Sequence, residues 1–176
     1  HIPASGTPGR DWETCMTMAN SWSYVPNDVY KPTNEIIEKL VDIVSKGGNY
    51  LLNIGPGPDG ELDAVAYQRL KEIGSWMKTN GEAIYNSRMF TVFSEGEKIR
   101  FAQSKDAKTR YIFLFDFPED KIALTKIPFS KTDKVQLLGN NKSLTWKQTA
   151  TGVEITIPAA LKSATDHVWV LKVTSN

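Results

Sequence analysis

Tyr50-Leu51-Leu52-Asn53-Ile54 is a nearly continuous apolar run held between two strong breakers, Lys46-Gly47-Gly48 before it and Gly55-Pro56-Gly57-Pro58-Asp59-Gly60 after it. Five residues are too few for a helix, and the lack of polar alternation predicts a parallel strand covered on both faces. Such a strand cannot stand alone. Layers must lie on either side of it, and strands along its edges.

The flanking sequence predicts some of those layers. Pro32-Thr33 opens a segment in which Ile36, Ile37, Leu40, Val41, Ile43 and Val44 recur at the helical period. This predicts a one-faced surface helix, with Thr33 as N-cap, Glu35 near its positive end and Gly47 closing it. Upstream, Trp12 to Met18 reads as a strand, followed by a loop from Ala19 to Lys31 rich in Asn, Ser and aromatic residues. Downstream, Asp63 to Lys78 reads as a second helix with Leu62, Val65, Leu70, Ile73, Trp76 and Met77 on one side. The order strand, helix, strand, helix implies right-handed parallel crossovers. Two such units cannot close a barrel, so a partner segment is expected. A start at His1-Ile2-Pro3, with no Met and no leader-like run, carries the same expectation of chain lying upstream.

After about Arg88 the pattern changes. Residues 89–94, 98–103, 109–117, 121–125, 134–138, 143–148, 152–157 and 167–173 are short runs rich in β-branched and aromatic residues, separated by turn signals such as Glu95-Gly96 and Thr151-Gly152. Eight short strands at this spacing predict an antiparallel β-sandwich. The fold class expected is therefore α/β followed by all-β. The join near Asn86 to Met89 is too short for a flexible linker, which predicts rigid docking against the second helix.

Composition removes several functions. The chain has 176 residues, of which 21 are basic and 20 acidic, without a block of one sign, so nucleic acid is not an expected partner. The longest apolar runs fall far short of the roughly 20 residues of a membrane helix, and no membrane partner is expected. Cys15 is the only cysteine, which excludes an internal disulfide and a cysteine-based zinc site. His1 and His167 have no second ligand nearby in sequence, and no metal is expected. Gly55-Pro56-Gly57 follows a strand as a phosphate cradle would, but its prolines remove the N–H donors a cradle needs. Asn141-Lys142-Ser143 fits a glycosylation sequon, a match too short to carry weight.

Paired carboxylates remain as an enzymatic option, since glycoside cleavage uses two. Glu13, within Asp11-Trp12-Glu13-Thr14-Cys15, is the acidic residue in the most chemical-looking setting, and equally fits an ordinary strand position. Ser21-Trp22-Ser23-Tyr24 lies in the loop after the first strand, on the side where barrel enzymes build their sites. Its aromatic rings suit either a sugar face or the roofing of the barrel. Asn53, ending the apolar run, can satisfy backbone at that end or reach the pocket's edge.

Taken in order, Trp12-Glu13-Thr14-Cys15-Met16-Thr17-Met18, Ser21-Trp22-Ser23-Tyr24, Gly47 to Pro56 with Asp59-Gly60, Arg69-Leu70 and Asn80-Gly81-Glu82-Ala83-Ile84-Tyr85 resemble the C-terminal part of the glycoside hydrolase family 29 α-L-fucosidases. The match is close over residues 12–88 and one of architecture beyond. The resemblance implies that residues 1–88 are the end of a catalytic (β/α)8-like barrel and 89–176 a C-terminal β-sandwich. It implies a retaining hydrolase acting on terminal α-L-fucose of glycans, with no cofactor. The nucleophilic Asp of the family would lie upstream of His1, and the acid/base either there or at Glu13, with the upstream position favoured. Trp22 matches the aromatic residue that packs on the C5 methyl of fucose. The implied partners are a fucosylated glycan and the N-terminal part of the same enzyme. The implied home is extracytoplasmic: a bacterial periplasm, a lysosome or the secreted fraction. The competing reading is a non-catalytic carbohydrate-binding or structural module, with Trp146 and Trp169 as its glycan contacts.

Overall fold

The computed structural model describes residues 1–140 and 142–175, so Asn141 of the sequon lies outside the described residues. The first part runs β1 (Glu13–Thr17), α1 (Thr33–Ser45), β2 (Asn49–Asn53), α2 (Ala64–Asn80) and the short α3 (Glu82–Tyr85). β1 and β2 pair in parallel, Glu13 opposite Asn49 through Thr17 opposite Asn53. By the two-residue alternation of a strand, Tyr50, Leu52 and Ile54 share one face. They pack against a core made of Met18, Ile36 and Ala66. The other face carries Glu13, Cys15 and Leu51, and Leu51 is 51% exposed. The expected two-sided burial is thus met on one face only, because both helices lie on the same side.

α1 departs from expectation at its start and along its length. Pro32, with φ −67°, occupies the N-cap position, and Thr33 is the first helical residue. Instead of capping, the Thr33 hydroxyl donates to the Glu72 carboxylate of α2. At the other end, Gly47 takes φ +81°, its N–H bonds Val44 O at 2.9 Å and the Gly48 N–H bonds Ile43 O at 2.9 Å, a Schellman closure. The helix is not a one-faced surface helix. Ile36 meets the parallel pair, while Ile37 and Val41 enter a second core shared with the antiparallel part. An apolar arc that begins at two adjacent residues is wide enough to serve two neighbours.

The remainder consists of β3 (Ser87–Glu95), β4 (Ile99–Ser104), β5 (Thr109–Leu114), β6 (Lys121–Leu124), β7 (Lys134–Leu137), β8 (Ser143–Leu144), β9 (Trp146–Gln148), β10 (Val153–Thr156), a 3-10 segment Ala159–Ala164, and β11 (Trp169–Thr174). These strands form a six-stranded sheet ordered β3-β4-β5-β11-β7-β8 and a three-stranded sheet ordered β6-β10-β9, antiparallel throughout. The stretch 143–148 is not one strand. Ser143-Leu144 pairs with β7 and Trp146–Gln148 with β10, so the chain changes sheets at Thr145. Sheets packed face to face turn their corners with strands of this kind.

The six-stranded sheet is covered on both faces. Phe101, Ile112, Leu114, Val135, Leu137 and Leu171 share one core with Leu124, Val153 and Ile155 of the smaller sheet. On the opposite face, Ala102, Tyr111, Phe113, Phe115 and Val170 meet Ile37, Val41, Trp76 and Ala83 of the helices. Polar contacts pin that seam. The Trp76 indole donates to Val168 O at 2.8 Å, Asn80 Nδ2 to Thr165 Oγ1 at 3.0 Å, and Arg100 Nε meets Asp42 at 2.6 Å. The docking surface therefore spans α1 and α3 as well as α2. Of the residues expected on the buried side of α2, Trp76 is buried but Val65 and Leu70 are exposed, and Ala66, outside that set, is buried.

Candidate substrate-binding site

The C-terminal ends of β1 and β2 meet at Thr17, Met18 and Asn53, where the Met18 N–H bonds Asn53 O at 2.9 Å. Above them rises the loop 19–31, closed on itself by the bridge between Ala19 and Tyr30 and by Asn20 N donating to Val29 O at 3.1 Å. The Asp28 carboxylate accepts from the N–H groups of Ser21 (2.9 Å) and Val29 (2.7 Å). At the loop's base the Tyr30 hydroxyl donates to Asp63 at 2.9 Å. Burial, reinforced by that carboxylate, pushes the Tyr30 phenol up to about 12, so it stays a proton donor.

Trp22 stands on this loop and is 60% exposed. With Thr14, Cys15, Met16, Thr17 and Lys31 it lines an open groove beside β1. Lys31 brings a charge there that the sequence pattern did not point to. Its ammonium donates to Thr17 O at 2.7 Å, Thr17 Oγ1 at 3.1 Å and Ala19 O at 2.7 Å. Three donors meet three acceptors, so this amine braces the end of β1 and has no N–H left over for a ligand. No spacing rule would have found it, since its partners lie 12 and 14 residues away.

Asn53 comes to the same place, its Nδ2 donating to the Trp22 carbonyl at 3.2 Å. Glu13 does not. It is exposed at the first position of β1, four residues before Thr17, and roughly 13 Å from that end at about 3.3 Å per residue. None of the described residues lining the groove is a carboxylate. Among the described residues no three His, Cys, Asp or Glu converge where a metal ion could be held. Besides an indole face and hydroxyls the groove presents His1 and Cys15 but no carboxylate, so by itself it lacks the carboxyl pair that glycoside cleavage uses.

Trp146 and Trp169 present no free platform. Trp146 lies edge-on to Phe129 with ring centroids 5.0 Å apart and donates to Asp133 O at 3.0 Å. Trp169 lies edge-on to Phe117 at 5.2 Å and donates to Lys162 O at 2.9 Å. Both pack on the core between the two antiparallel sheets.

A solvent-facing indole above the C-terminal ends of parallel strands is an arrangement suited to carbohydrate-active proteins, which meet the C–H face of a sugar with an aromatic ring. Comparison with known proteins narrows that class. Residues 2–82 match the family described as alpha-L-fucosidase and residues 94–174 the alpha-L-fucosidase C-terminal domain. The tissue alpha-L-fucosidase of Mus musculus is 38% identical over 176 residues, covering 95% of this chain and 39% of that protein. The crystal structure of Thermotoga maritima alpha-fucosidase in complex with fucose superposes with a TM-score of 0.85 at 28% identity, over 95% of this chain and 40% of that one. Alpha-L-fucosidase isoenzyme 1 from Paenibacillus thiaminolyticus gives 0.86 at 27%, over 99% and 43%. The chain belongs to the α-L-fucosidase family and spans about two fifths of the length of these relatives.

Proposed function

We propose that this chain is the C-terminal part of a retaining α-L-fucosidase that removes terminal fucose from glycans or glycoconjugates. Residues 1–88 are read as the last βα units of a (β/α)8-like barrel and residues 89–176 as a β-sandwich that braces them. The observation that carries this reading is Trp22, exposed over the strand ends and fixed there by Asn53. An indole face suits the apolar C5 methyl of a 6-deoxy sugar.

Retaining cleavage needs a nucleophilic carboxylate and an acid/base carboxyl about 5–5.5 Å apart. We assign both to the preceding part of the same enzyme. Glu13, the one carboxylate on the open face of β1, stands at the opposite end of the strand from Trp22. The open face of β1 and β2 is read as barrel interior, with Cys15 and Leu51 awaiting strands from that preceding part. The sandwich tryptophans, spent on internal packing, favour a brace over a glycan-binding module. An extracytoplasmic home accords with a relative named as a plasma enzyme, and the lack of a disulfide framework tilts the reading to a bacterial periplasm over a lysosome or the secreted fraction; cell fractionation tests it.

The test is Trp22→Ala in the full-length enzyme with an aryl α-L-fucoside as substrate. A fall in kcat/KM of about tenfold or more is expected from losing one methyl-sized apolar contact. Unchanged kinetics would remove Trp22 from the site.

A further inference from the structure

The loop 19–31 is closed by its own hydrogen bonds, which set its shape but not its position over the strands. Near Trp22 that position is set from β2. Asn53 Nδ2 donates to the Trp22 carbonyl at 3.2 Å. Two residues further on, Gly55 lies against the loop backbone. A Cβ added at Gly55 would stand 2.6 Å from Tyr24 N and 2.8 Å from Ser23 C. Both neighbours are main-chain atoms, so no rotamer change relieves the clash. Gly55 is not among the glycines with positive φ, so its lack of a side chain serves close approach and not an unusual backbone conformation. The Tyr24 ring continues over Gly57, within 3.7 Å of where a Cβ would be.

We propose that Asn53 and Gly55 are positioning residues for Trp22: the amide fixes the Trp22 carbonyl, and the bare Gly55 sets how closely segment 22–24 sits on the end of β2. The proposal rests on reading Trp22 as the residue that contacts the sugar's methyl group. Neither residue need touch substrate. Each acts by holding the indole where that methyl arrives, and a displacement of about 1 Å is enough to lower turnover strongly.

The experiment compares kcat/KM of the full-length enzyme for an aryl α-L-fucoside and for the corresponding aryl pentopyranoside without the C5 methyl. The variants are Trp22→Ala, Gly55→Ala, Asn53→Leu and each of the last two combined with Trp22→Ala. Gly55→Ala and Asn53→Leu should each reduce the preference for the methyl-bearing substrate, Gly55→Ala by about tenfold. Neither should reduce it further once Trp22 is already alanine, the coupling expected of residues acting through one another. If Trp22→Ala erases the preference while Gly55→Ala and Asn53→Leu leave it intact, or if their effects add fully to that of Trp22→Ala, the positioning role fails and the Trp22 reading survives. If Trp22→Ala itself leaves the preference unchanged, both fall. Should Gly55→Ala prevent folding, Asn53→Leu, which introduces no backbone clash, decides the question by the same ratio.

Discussion

Asp133 gathers more of the antiparallel unit than any strand spacing would suggest. Its buried carboxylate accepts from the Ser130 N–H at 2.9 Å, the Ser130 hydroxyl at 2.7 Å, the Ser175 hydroxyl at 3.0 Å and the Arg110 guanidinium. Burial alone would raise its pKa, but the Ser130, Arg110 and Ser175 bonds outweigh it and hold the group below its ordinary 3.8. A depressed folded value means that its stabilising contribution is fully present above about pH 4 and is lost as pH falls through the folded pKa. Asp133→Asn should therefore destabilise the protein at neutral pH by about 3 kcal/mol, because it leaves the buried Arg110 without its counter-charge. It should also flatten the stability loss below about pH 4. Urea unfolding at pH 7 and pH 3.5 measures both, and a variant with the wild-type pH dependence would show that Asp133 is not its source. Glu13→Gln gives a second residue-scale test: kcat for an aryl fucoside should change by less than about tenfold and the pH profile should keep both limbs, since catalytic proton transfer contributes more than that. Loss of the basic limb would return the acid/base role to Glu13. At this scale, legibility followed locality. Gly47 as helix stop was readable because its cause lies within the helix end, whereas Thr33, Lys31 and Asp133 take partners 39, 14 and 42 residues away, which no local pattern records.

Elements were readable in kind and misread where two neighbours compete for them. The run Tyr111 to Phe115 is continuous because β5 is central in a sheet covered by the smaller sheet on one face and by helices on the other. Val153-Glu154-Ile155-Thr156 alternates because β10 is buried on one side only, with Glu154 turned out to Lys121 and Lys147. Hydrophobicity alone could not reveal the break at Thr145, since Leu144 and Trp146 are both apolar while belonging to different sheets. α2 was assigned an apolar side too broadly. The large side chain it buries is Trp76, whose indole N–H reaches Val168 O across the seam. Trp76→Phe should cost about 1–3 kcal/mol, chiefly by leaving a buried carbonyl without its donor, and Trp76→Ala about 3–5 kcal/mol by opening a cavity between α2 and β11. Thermal denaturation of the two variants ranks these costs. Equal shifts would mean that the hydrogen bond, not the ring volume, holds the seam.

At the scale of the molecule, the first part and the second have different claims to independence. The antiparallel sheets enclose a core with residues such as Phe101, Ile112, Leu124, Val135 and Ile155 fully buried. The parallel pair has two strands, each with one unpaired edge, and an open face bearing Leu51. Sequence made this imbalance legible before any coordinates, because an apolar run such as 50–54 implies more cover than two helices supply. The short join at 86–89 pointed to docking against α2, but nothing local revealed that α1 would be claimed from behind by the six-stranded sheet as well. The consequence is a gradient of local stability that amide exchange can read. In the isolated 176-residue chain, amides of residues 13–17 and 49–53 should exchange at least about a hundredfold faster than those of 109–114 and 169–174, since paired central strands open only with the global transition. If residues 1–88 are the end of a barrel, as proposed, the two sets should approach one another in the full-length enzyme, where neighbouring strands would pair the free edges and bury Leu51 and Cys15. Equal protection in the isolated chain would mean that β1 and β2 need no neighbours, and the reading of residues 1–88 as an incomplete barrel would have to be given up. A gradient that persists unchanged in the full-length enzyme would leave the open face unoccupied there as well, which is incompatible with Trp22 crowning a closed active site.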